Sequence, residues 1–407
     1  MAETNPSLSV LFVDDEPLVL DGLRRLLRGQ RHEWRLAFAL GGPEALEMMA
    51  RATPDIVVSD MRMPGMDGAA LLAEVRRLYP QVVRIILSGQ SDPVMVMKSV
   101  LPAHQFLAKP VEAERLFSVL RQTGALRQLL GDQRLLSLVS QIETLPVLPQ
   151  LFQDLMGLLE QPGADEEEIG RLIGRDMGMA STVLKLVNSA FFGTSCRVIK
   201  PAEAVGMLGL DVVRALVLSQ NLFDTFDQEH FPHFSFEGLW RHSLAVGGYA
   251  RAICHQENAG EAPAESAFIA GLLHDVGKLI LCTVLPAEYA DIIAEVRRDN
   301  RRVVSVERQR LGVSHAEVGA YLIGLWGLGQ EIVAAIAGHH QPAIWAPAQF
   351  SCVTAVHAAN VLDKELCIIN KDYARSPLDE EHLAGLGLSQ RLPVWRQACL
   401  GVKECGG

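Results

Sequence analysis

The chain has few cysteines and no long apolar run. Its seven cysteines begin at Cys196 and include no C-x-x-C pair, so the sequence predicts neither a disulfide framework nor a zinc-ribbon site. Apolar stretches such as residues 279–285 are far shorter than the ~20 residues that a membrane span requires, and the first residues lack a basic-then-apolar signal. We therefore expect a cytoplasmic protein that does not insert into a membrane.

Basic residues are also scarce. The formal net charge is −11; residues 1–125 hold 14 Lys and Arg against 15 Asp and Glu, so residues 126–407 carry the remaining −10. Proteins that bind DNA usually present a basic face, because phosphate neutralisation supplies much of their affinity. The sequence therefore opposes a DNA partner and a transcription-factor function.

The composition is that of a folded protein with more than one domain. Of the 407 residues, 49% are hydrophobic and 21% are charged, and this length predicts about two to four domains. In the first part, five short apolar runs alternate with amphipathic stretches such as LVLDGLRRLLR. All but the second, which contains Arg35, are nearly continuous, as expected for strands buried on both faces of a sheet. They predict a doubly wound α/β domain with a five-stranded parallel sheet. The runs cover residues 9–13, 34–40, 55–59, 82–87 and 105–108.

The remainder of the chain shows helical spacing of its apolar residues. The leucines after Glu112 have two interpretations: an ordinary packed connector, which Gly124 and Gly131 favour, or a pairing seam between two chains of a homodimer. No alternating strand pattern follows Pro149. The second domain is therefore predicted to be all-α.

Acidic residues follow two strands of the predicted sheet. Asp14 and Asp15 come directly after the first strand and Asp60 after the third, so three carboxylates meet at the carboxyl edge, where a cation such as Mg²⁺ can neutralise them. Ser88 and Lys109 end the fourth and fifth strands at the same edge. A hydroxyl and an ammonium beside a metal-bound carboxylate can hold a phosphoryl group. Helix capping explains one such Asp but not the whole set.

These residues stand in motifs that resemble the response regulator receiver family. The motifs are VDDEP at residues 13–17, SDMRMPGMDG at 59–68, LSGQSD at 87–92 and AKP around Lys109. The resemblance covers residues 8–125. It implies a flavodoxin-like receiver domain that takes a phosphoryl group from a sensor histidine kinase.

The resemblance also implies roles for individual residues. Asp60 is the expected phosphoacceptor, which forms an aspartyl phosphate. Mg²⁺ is expected to be held by Asp14 through water, Asp15, Asp60 and the carbonyl of Arg62. The phosphoryl group is expected to be sensed by Ser88, Lys109 and Phe106, the last at the aromatic switch position or else a plain core aromatic.

Histidine is concentrated in the second part, where ten of the twelve lie between His230 and His382. His274 and Asp275 close the apolar segment AFIAGLL, and Gly277 is placed to end that helix. Adjacent His and Asp side chains can give a nitrogen and an oxygen to one metal. A lone His of this kind is more often a satisfied core residue, but several together favour a zinc or transition-metal site. The other candidates are His242, His315, His339 and His340.

The same segments are similar to the HDOD family, an output domain related to the HD phosphohydrolases. The similarity covers residues 137–340 and includes LPVLP at 145–149, NSAFFG at 188–193 and AFIAGLLHDVGKL at 267–279. It implies an all-α, HD-like module that acts through protein interactions rather than catalysis. Two segments remain outside both resemblances: a helical connector at 126–136 and a carboxyl-terminal extension of unknown role at 341–407.

The second domain departs from catalytic HD proteins at one ligand position. Hydrolytic HD sites carry a later Asp on a downstream helix, and the equivalent in AVHAANVLD is Asn360, whose neutral amide is a poorer ligand. Asp363 lies one turn further, which moves it ~5 Å along the helix. The histidine pair continues as HHQPAIWAP, without the glycine-tyrosine-proline signature of cyclic-dinucleotide phosphodiesterases.

Two functions from different classes therefore remain. The favoured one is a response regulator whose HDOD domain is not an enzyme and engages an unknown downstream signalling protein. The alternative is a metal-dependent, HD-type phosphohydrolase that the receiver regulates, with cyclic nucleotides among its candidate substrates. The charge of the second part opposes a third class, the transcription factors.

Overall fold

A computed structural model defines two compact units. The first contains Met1–Glu143, Lys185–Cys196 and Leu325–Gly327, and the second contains Thr144–Leu184, Arg197–Gly324 and Leu328–Gly407. The structure describes residues 8–30, 32–88, 103–142, 154–155, 157–159, 165–188, 198–209, 213, 235–366, 374 and 376–405. The motifs LPVLP and all but the first residue of NSAFFG lie outside these ranges, as do residues 89–92 of LSGQSD.

The first unit contains a parallel sheet of five strands, as the sequence predicts. The strand order is β2-β1-β3-β4-β5, and all four neighbouring pairs are parallel. The side chains of Phe12, Val57 and Ile86 are fully buried, which explains why β1, β3 and β4 are apolar on both faces. The strand β2, at the edge of the sheet, contains Arg35 and is only partly buried. The strands are β1 Leu8–Val13, β2 Trp34–Ala39, β3 Ile56–Asp60, β4 Val83–Ser88 and β5 Gln105–Ala108.

Helices follow β1, β2, β3 and β5. Pro17 and Pro43 stand in the first turns of two of the helices, where the missing N–H of proline costs nothing. Asp67 caps a third helix by accepting a hydrogen bond from the backbone N–H of Ala70. The described helices of the first unit are α1 Pro17–Leu26, α2 Gly42–Arg51, α3 Gly68–Leu78, α4 Ala113–Leu129 and α5 Gln133–Val139.

Helix α5 is attached to the sheet of the first unit through a buried polar cluster. The guanidinium of Arg84, near the amino end of β4, donates to the carbonyl of Ser140 at 2.8 Å. Nε2 of His104 donates to the same carbonyl at 2.8 Å, while its Nδ1 accepts from the backbone N–H of Arg84 at 3.1 Å. Burial, followed by the charge of Arg84, lowers the pKa of His104 well below its ordinary value, so the ring is neutral. The end of α5 is thus hydrogen-bonded to β4 and to the residue before β5.

The second unit is helical throughout its described residues, as the sequence predicts. Its longest described helix is α9, with 21 residues. The helices are α6 Glu166–Ile173, α7 Met177–Val187, α8 Pro201–Leu208, α9 Phe236–Gln256, α10 Glu261–Leu273, α11 Val276–Val284, α12 Pro286–Arg298, α13 Val303–Leu311, α14 His315–Leu325, α15 Gln330–Gly338, α16 Pro342–Trp345, α17 Cys352–Leu366, α18 Glu380–Gly385 and α19 Leu392–Cys405. Part of α7 belongs to the first unit.

Two glycines allow α9 and α10 to pack closely. A Cβ added to Gly271 would lie 2.7 Å from the Cα of Gly247, and one added to Gly247 would lie 2.8 Å from the carbonyl oxygen of Phe268. Contacts this short are possible only without side chains at the crossing. The crossing fixes the two helices on which His242 and His274 depend for their positions.

One described segment is long and apolar enough to cross a membrane. It runs from Glu261 to Val284, but 78% of its most apolar window is buried inside the protein. The central helix of a packed domain meets the same criterion, and this segment carries His274 and Asp275 near its middle. Its apolar character is therefore accounted for by the core that surrounds it.

Candidate functional site

Three predicted residues meet at the carboxyl edge of the sheet. Asp14 follows β1, Asp60 ends β3, and the ammonium group of Lys109 follows β5. Lys109 Nζ lies 2.7 Å from Asp14 Oδ2 and also contacts Asp60 Oδ1. The structure therefore brings together two of the predicted Mg²⁺ ligands and the predicted phosphoryl-sensing lysine.

The remaining oxygens of this pair are held by backbone groups. Asp60 Oδ2 accepts a hydrogen bond from the N–H of Arg62 at 2.6 Å, and Asp14 Oδ1 accepts one from the N–H of Glu16 at 3.0 Å. Burial acts against the charged form of Lys109, but its hydrogen bonds to Asp14 and Asp60 and their charges outweigh burial and raise its pKa. Lys109 therefore stays protonated beside the two acids.

The loop after β3 approaches this edge closely. A Cβ added to Gly68 would lie 2.1 Å from the carbonyl oxygen of Asp60, so only glycine fits there. Asp15 is partly exposed beside Asp14. Ser88 ends β4 opposite Ala108 and Phe106 stands within β5 opposite Ile86, but the side chains of Ser88 and Phe106 lie outside the described part of the structure.

The second unit brings six of the predicted metal-site residues to one place. His242 lies within α9, His274 and Asp275 separate α10 from α11, His315 begins α14, and His339 and His340 follow α15. Four of these five histidines are at most 6% exposed. Neighbouring imidazole centroids, from His242 through His274 and His339 to His315 and His340, lie 4.0–5.4 Å apart.

The carboxylate of Asp275 lies at the centre of this cluster. Its Oδ2 is 3.7 Å from His242 Nε2 and 3.5 Å from His274 Nε2. Its Oδ1 is 3.1 Å from His315 Nε2 and 3.7 Å from His339 Nε2. The four rings therefore all direct the same nitrogen, Nε2, at one carboxylate.

The residues divide into two groups that could each hold a metal ion and that share Asp275. The atoms of each group all lie within 4.8 Å of one another. One group contains His242, His274 and Asp275, and the other contains Asp275, His315, His339 and His340.

Buried atoms without hydrogen-bond partners test whether a metal fits. Within the described residues, the Nε2 atoms of His242, His274 and His339 are buried and accept or donate no hydrogen bond. Leaving such groups unsatisfied costs about 1–3 kcal/mol each. Nitrogen and oxygen donors that converge in this way match the coordination preferences of zinc and other transition metals. The residues present therefore fit a metal centre.

The electrostatics of the cluster keep most of these donors free of protons. Burial lowers the pKa of His242 to about 4, against a smaller opposing effect of Asp363, and burial also holds the pKa values of His339 and His340 well below the ordinary range. His315 is the exception: burial acts to lower its pKa, but the charge of Glu307 together with hydrogen bonds to Asp275 and Glu307 outweighs burial and raises it. Neutral imidazole is the form that binds metals.

Close packing, not helix termination, accounts for Gly277. The sequence-based prediction that Gly277 ends the helix of His274 is wrong, because α10 ends at Leu273 and Gly277 lies in the first turn of α11. A Cβ at Gly277 would lie 1.8 Å from the carbonyl oxygen of His315. Glycine at this position allows α14 to bring His315 against Asp275.

The helix α17 carries Asp363, which contacts a site histidine, and Asn360, which the sequence predicts as a ligand. Asp363 Oδ2 lies 2.6 Å from Nδ1 of His242, on the side of the ring away from Asp275. Asn360, the sequence-based candidate for the last ligand, is 1% exposed, and both polar atoms of its amide lack hydrogen-bond partners among the described residues. Asp363 is therefore the one of the two that is engaged with a site histidine.

Sequence reasoning missed several residues that contact the cluster. Lys278 Nζ lies 2.5 Å from Asp275 Oδ2, and the spacing of three residues on one helix was a signal that could have indicated it. Glu307 lies 2.6 Å from His315 Nδ1, and Ser376 Oγ lies 3.2 Å from His340 Nδ1. No local pattern marks these last two, because they reach the site from other segments.

Comparisons with known proteins agree with the two-part structure. The model of the response regulator receiver domain matches residues 10–121, and that of the HDOD domain matches residues 145–342. An uncharacterised protein of Treponema pallidum is 27% identical over 208 residues, which are 50% of this chain and 39% of that protein. The hydrogenase transcriptional regulatory protein HoxA of Cupriavidus necator is 35% identical over 144 residues, which are 35% of this chain and 29% of HoxA. The chain thus spans well under half the length of these relatives.

Two solved structures are similar to parts of this chain. The MmoQ response regulator of Methylococcus capsulatus is 23% identical, with a TM-score of 0.48, and the match covers 63% of this chain and 93% of that one. An HDOD domain protein of Geobacter sulfurreducens is 22% identical, with a TM-score of 0.37, and the match covers 69% of this chain and 98% of that one. The two domain matches show that the chain contains an amino-terminal receiver domain followed by an HDOD domain.

Proposed function

We propose that this response regulator accepts a phosphoryl group on Asp60 from a sensor histidine kinase and thereby switches its HDOD domain between two states. The observation that carries this proposal is the convergence of Asp14, Asp60 and Lys109 at one edge of the sheet. Receiver domains in general bind Mg²⁺, which would neutralise charge on the phosphoryl oxygens during transfer. Asp14, Asp15, Asp60 and the carbonyl of Arg62 are the residues we assign to it.

The chain's own residues provide the switching chemistry. Lys109 neutralises Asp60 in the unphosphorylated protein, and its ammonium group is placed to pair with the phosphoryl group after transfer. Phosphorylation adds negative charge and strong hydrogen-bond acceptors at this position. Ser88 and Phe106 are the residues we expect to follow this change, because they stand on β4 and β5 beside Asp60 and Lys109.

We assign the output to protein interaction. In this proposal residues 8–125 are the receiver, 126–136 the connector, 137–340 the HDOD domain and 341–407 an extension. The acidic balance of residues 126–407 supports a protein partner over DNA, in the cytoplasm. If the connector leucines form a pairing seam between two chains, the form that binds this partner is a homodimer.

Partner capture in two receiver states tests this proposal. Immobilised wild-type protein treated with beryllofluoride and Mg²⁺ mimics the phosphorylated state, and Asp60→Asn cannot reach it. We expect a protein partner that is retained by one of these two forms and lost from the other. A set of captured proteins that is identical for both forms contradicts phosphorylation-dependent output.

A second candidate function is metal-dependent phosphohydrolysis by the second domain. The three buried Nε2 atoms that face Asp275 without a hydrogen-bond partner, those of His242, His274 and His339, favour it. A bound divalent metal would supply an activated water and charge stabilisation for an attacked phosphoryl group. The cluster would hold the metal through neutral imidazoles and Asp275, while Lys278, which is only 14% exposed in its side chain, offers a positive charge to an anionic substrate.

Metal analysis combined with hydrolysis assays tests the second candidate. The assays use cyclic di-GMP and a panel of nucleotides as substrates, with and without added divalent metal. We expect turnover that depends on metal and disappears in His274→Ala. Protein that binds metal but hydrolyses none of these substrates contradicts this activity and leaves the interaction output as the function.

A further inference from the structure

The five site histidines share one orientation, but their outward nitrogens have different partners. In each ring Nδ1 points away from Asp275 and makes a hydrogen bond. His274 and His339 use the backbone carbonyls of Gly271 and Ile336 at 2.7 Å. His340 uses the hydroxyl of Ser376 at 3.2 Å. Among the described residues, a carboxylate lies behind the rings of His242 and His315 alone.

We infer that Asp363 and Glu307 are positioning residues of the metal centre, each acting through one histidine, with one of them serving each of the two metal groups. The inference rests on the metal centre proposed above. It gives Asp363 a place behind His242 rather than in direct contact with a metal. It also assigns a specific role to Glu307, which is not among the site residues predicted from the sequence.

The contacts of Asp363 are those of an orienting carboxylate. Its Oδ2 lies 2.6 Å from His242 Nδ1, and the residue is 2% exposed. With the Nδ1 proton donated to Asp363, the lone pair of His242 is left on Nε2, which faces Asp275 and has no other partner. The carboxylate thereby selects the tautomer that binds metal.

Glu307 accepts more hydrogen bonds than Asp363 does. It is fully buried on α13, and its Oε1 accepts a hydrogen bond from the hydroxyl of Tyr289 at 2.7 Å. Its Oε2 accepts from both the backbone N–H and the Nδ1 of His315, at 3.0 Å and 2.6 Å. Three hydrogen bonds fix this carboxylate, so it fixes the ring of His315 in turn.

A carboxylate that accepts the Nδ1 hydrogen bond of a histidine affects the bound metal differently from a backbone carbonyl in the same position. A carboxylate carries a full charge, so it orients the imidazole more strongly and increases the basicity of the ligating nitrogen. His242 belongs to the group of three ligands and His315 to the group of four. Each group therefore contains a single histidine supported by a carboxylate, and loss of that support affects one group.

Two nearly isosteric variants of the full-length protein test the inference. Asp363→Asn and Glu307→Gln keep the size of each side chain and remove its charge. Glu257→Gln is the matched control, because Glu257 is also mostly buried in the same domain and accepts hydrogen bonds from Trp395 and Arg391, away from the site histidines. Metal affinity is measured by competition with a chromophoric chelator for Co²⁺ and Zn²⁺, and the visible spectrum of Co²⁺-loaded protein reports ligand geometry.

We expect each variant to weaken one of the two bound equivalents by about 10- to 100-fold and to change the Co²⁺ spectrum. The control should keep the wild-type affinities and spectrum. The thermal unfolding midpoint of the metal-free variants separates this effect from a general loss of stability, and either variant alone suffices if the other does not fold.

Three outcomes decide the matter. Selective weakening of one equivalent, with unfolding like that of the control, supports the positioning role. Wild-type affinities and spectra in both variants overturn it while leaving the metal centre intact. A wild-type protein that binds no metal at all overturns the metal centre and this inference together.

Discussion

Replacing Asp275 with alanine is expected to remove both equivalents of bound divalent metal, whereas His242→Ala and His340→Ala are each expected to remove one. The reason is that Asp275 belongs to both ligand groups, while His242 and His340 belong to one each. Metal content is measured by elemental analysis of the purified variants after dialysis against a metal-containing buffer. The milder Asp275→Asn variant keeps the size of the side chain and should also lose most of the metal, since an amide carries no charge.

The control for this experiment is Asp299→Asn. Asp299 is a surface residue of the same domain whose carboxylate pairs with Arg298 at 2.8 Å, so its loss should leave the metal content unchanged. If Asp275→Ala loses only one equivalent, Asp275 is not shared by two metals. If it retains both, the cluster around Asp275 is not the binding site.

Replacing Asp60 with asparagine is expected to abolish labelling of the protein by acetyl phosphate and Mg²⁺. An amide cannot accept the phosphoryl group, and its substitution also removes the charge that pairs with Lys109. Labelling is measured as the phosphorylated fraction by intact-protein mass spectrometry. We expect a phosphorylated fraction in wild-type protein and none in the variant.

Asp67→Asn is the matched control for this measurement. Asp67 lies in the same loop region but caps α3 through the N–H of Ala70 at 2.8 Å, and asparagine is an equally good cap. The control should be labelled like wild type. Undiminished labelling of Asp60→Asn would assign the phosphoacceptor to another residue.

Much of the fold follows from local patterns in the sequence. The apolar runs predict the five strands to within a residue or two, because a strand buried on both faces must be apolar along its whole length. The helical spacing after Pro149 predicts an all-α domain for the same kind of reason, since each helix needs one apolar stripe. Edge positions such as Asp60 then follow from the rule that parallel strands end together.

Local patterns failed where the role of a residue depends on a contact with a residue that is distant in sequence. Gly277 resembles a helix terminator, yet its lack of a side chain leaves room for the carbonyl oxygen of His315 on another helix. Asn360 aligns with the expected ligand, yet Asp363 is the residue that contacts His242. A one-turn displacement along α17 cannot be judged until the rotation of that helix against α9 is known.

The sequence by itself determined the two domain types, the residues at the receiver's acidic edge and the membership of the histidine cluster. Only the tertiary structure decided that the histidines form two groups sharing Asp275 and that Glu307 and Asp363 stand behind two of them. The physical reason is the sequence distance over which each feature is determined. The periodicity of nearby residues determines which face of a helix or strand is buried. The direction of a ring nitrogen depends on hydrogen bonds between helices, and Asp363 and His242 are 121 residues apart.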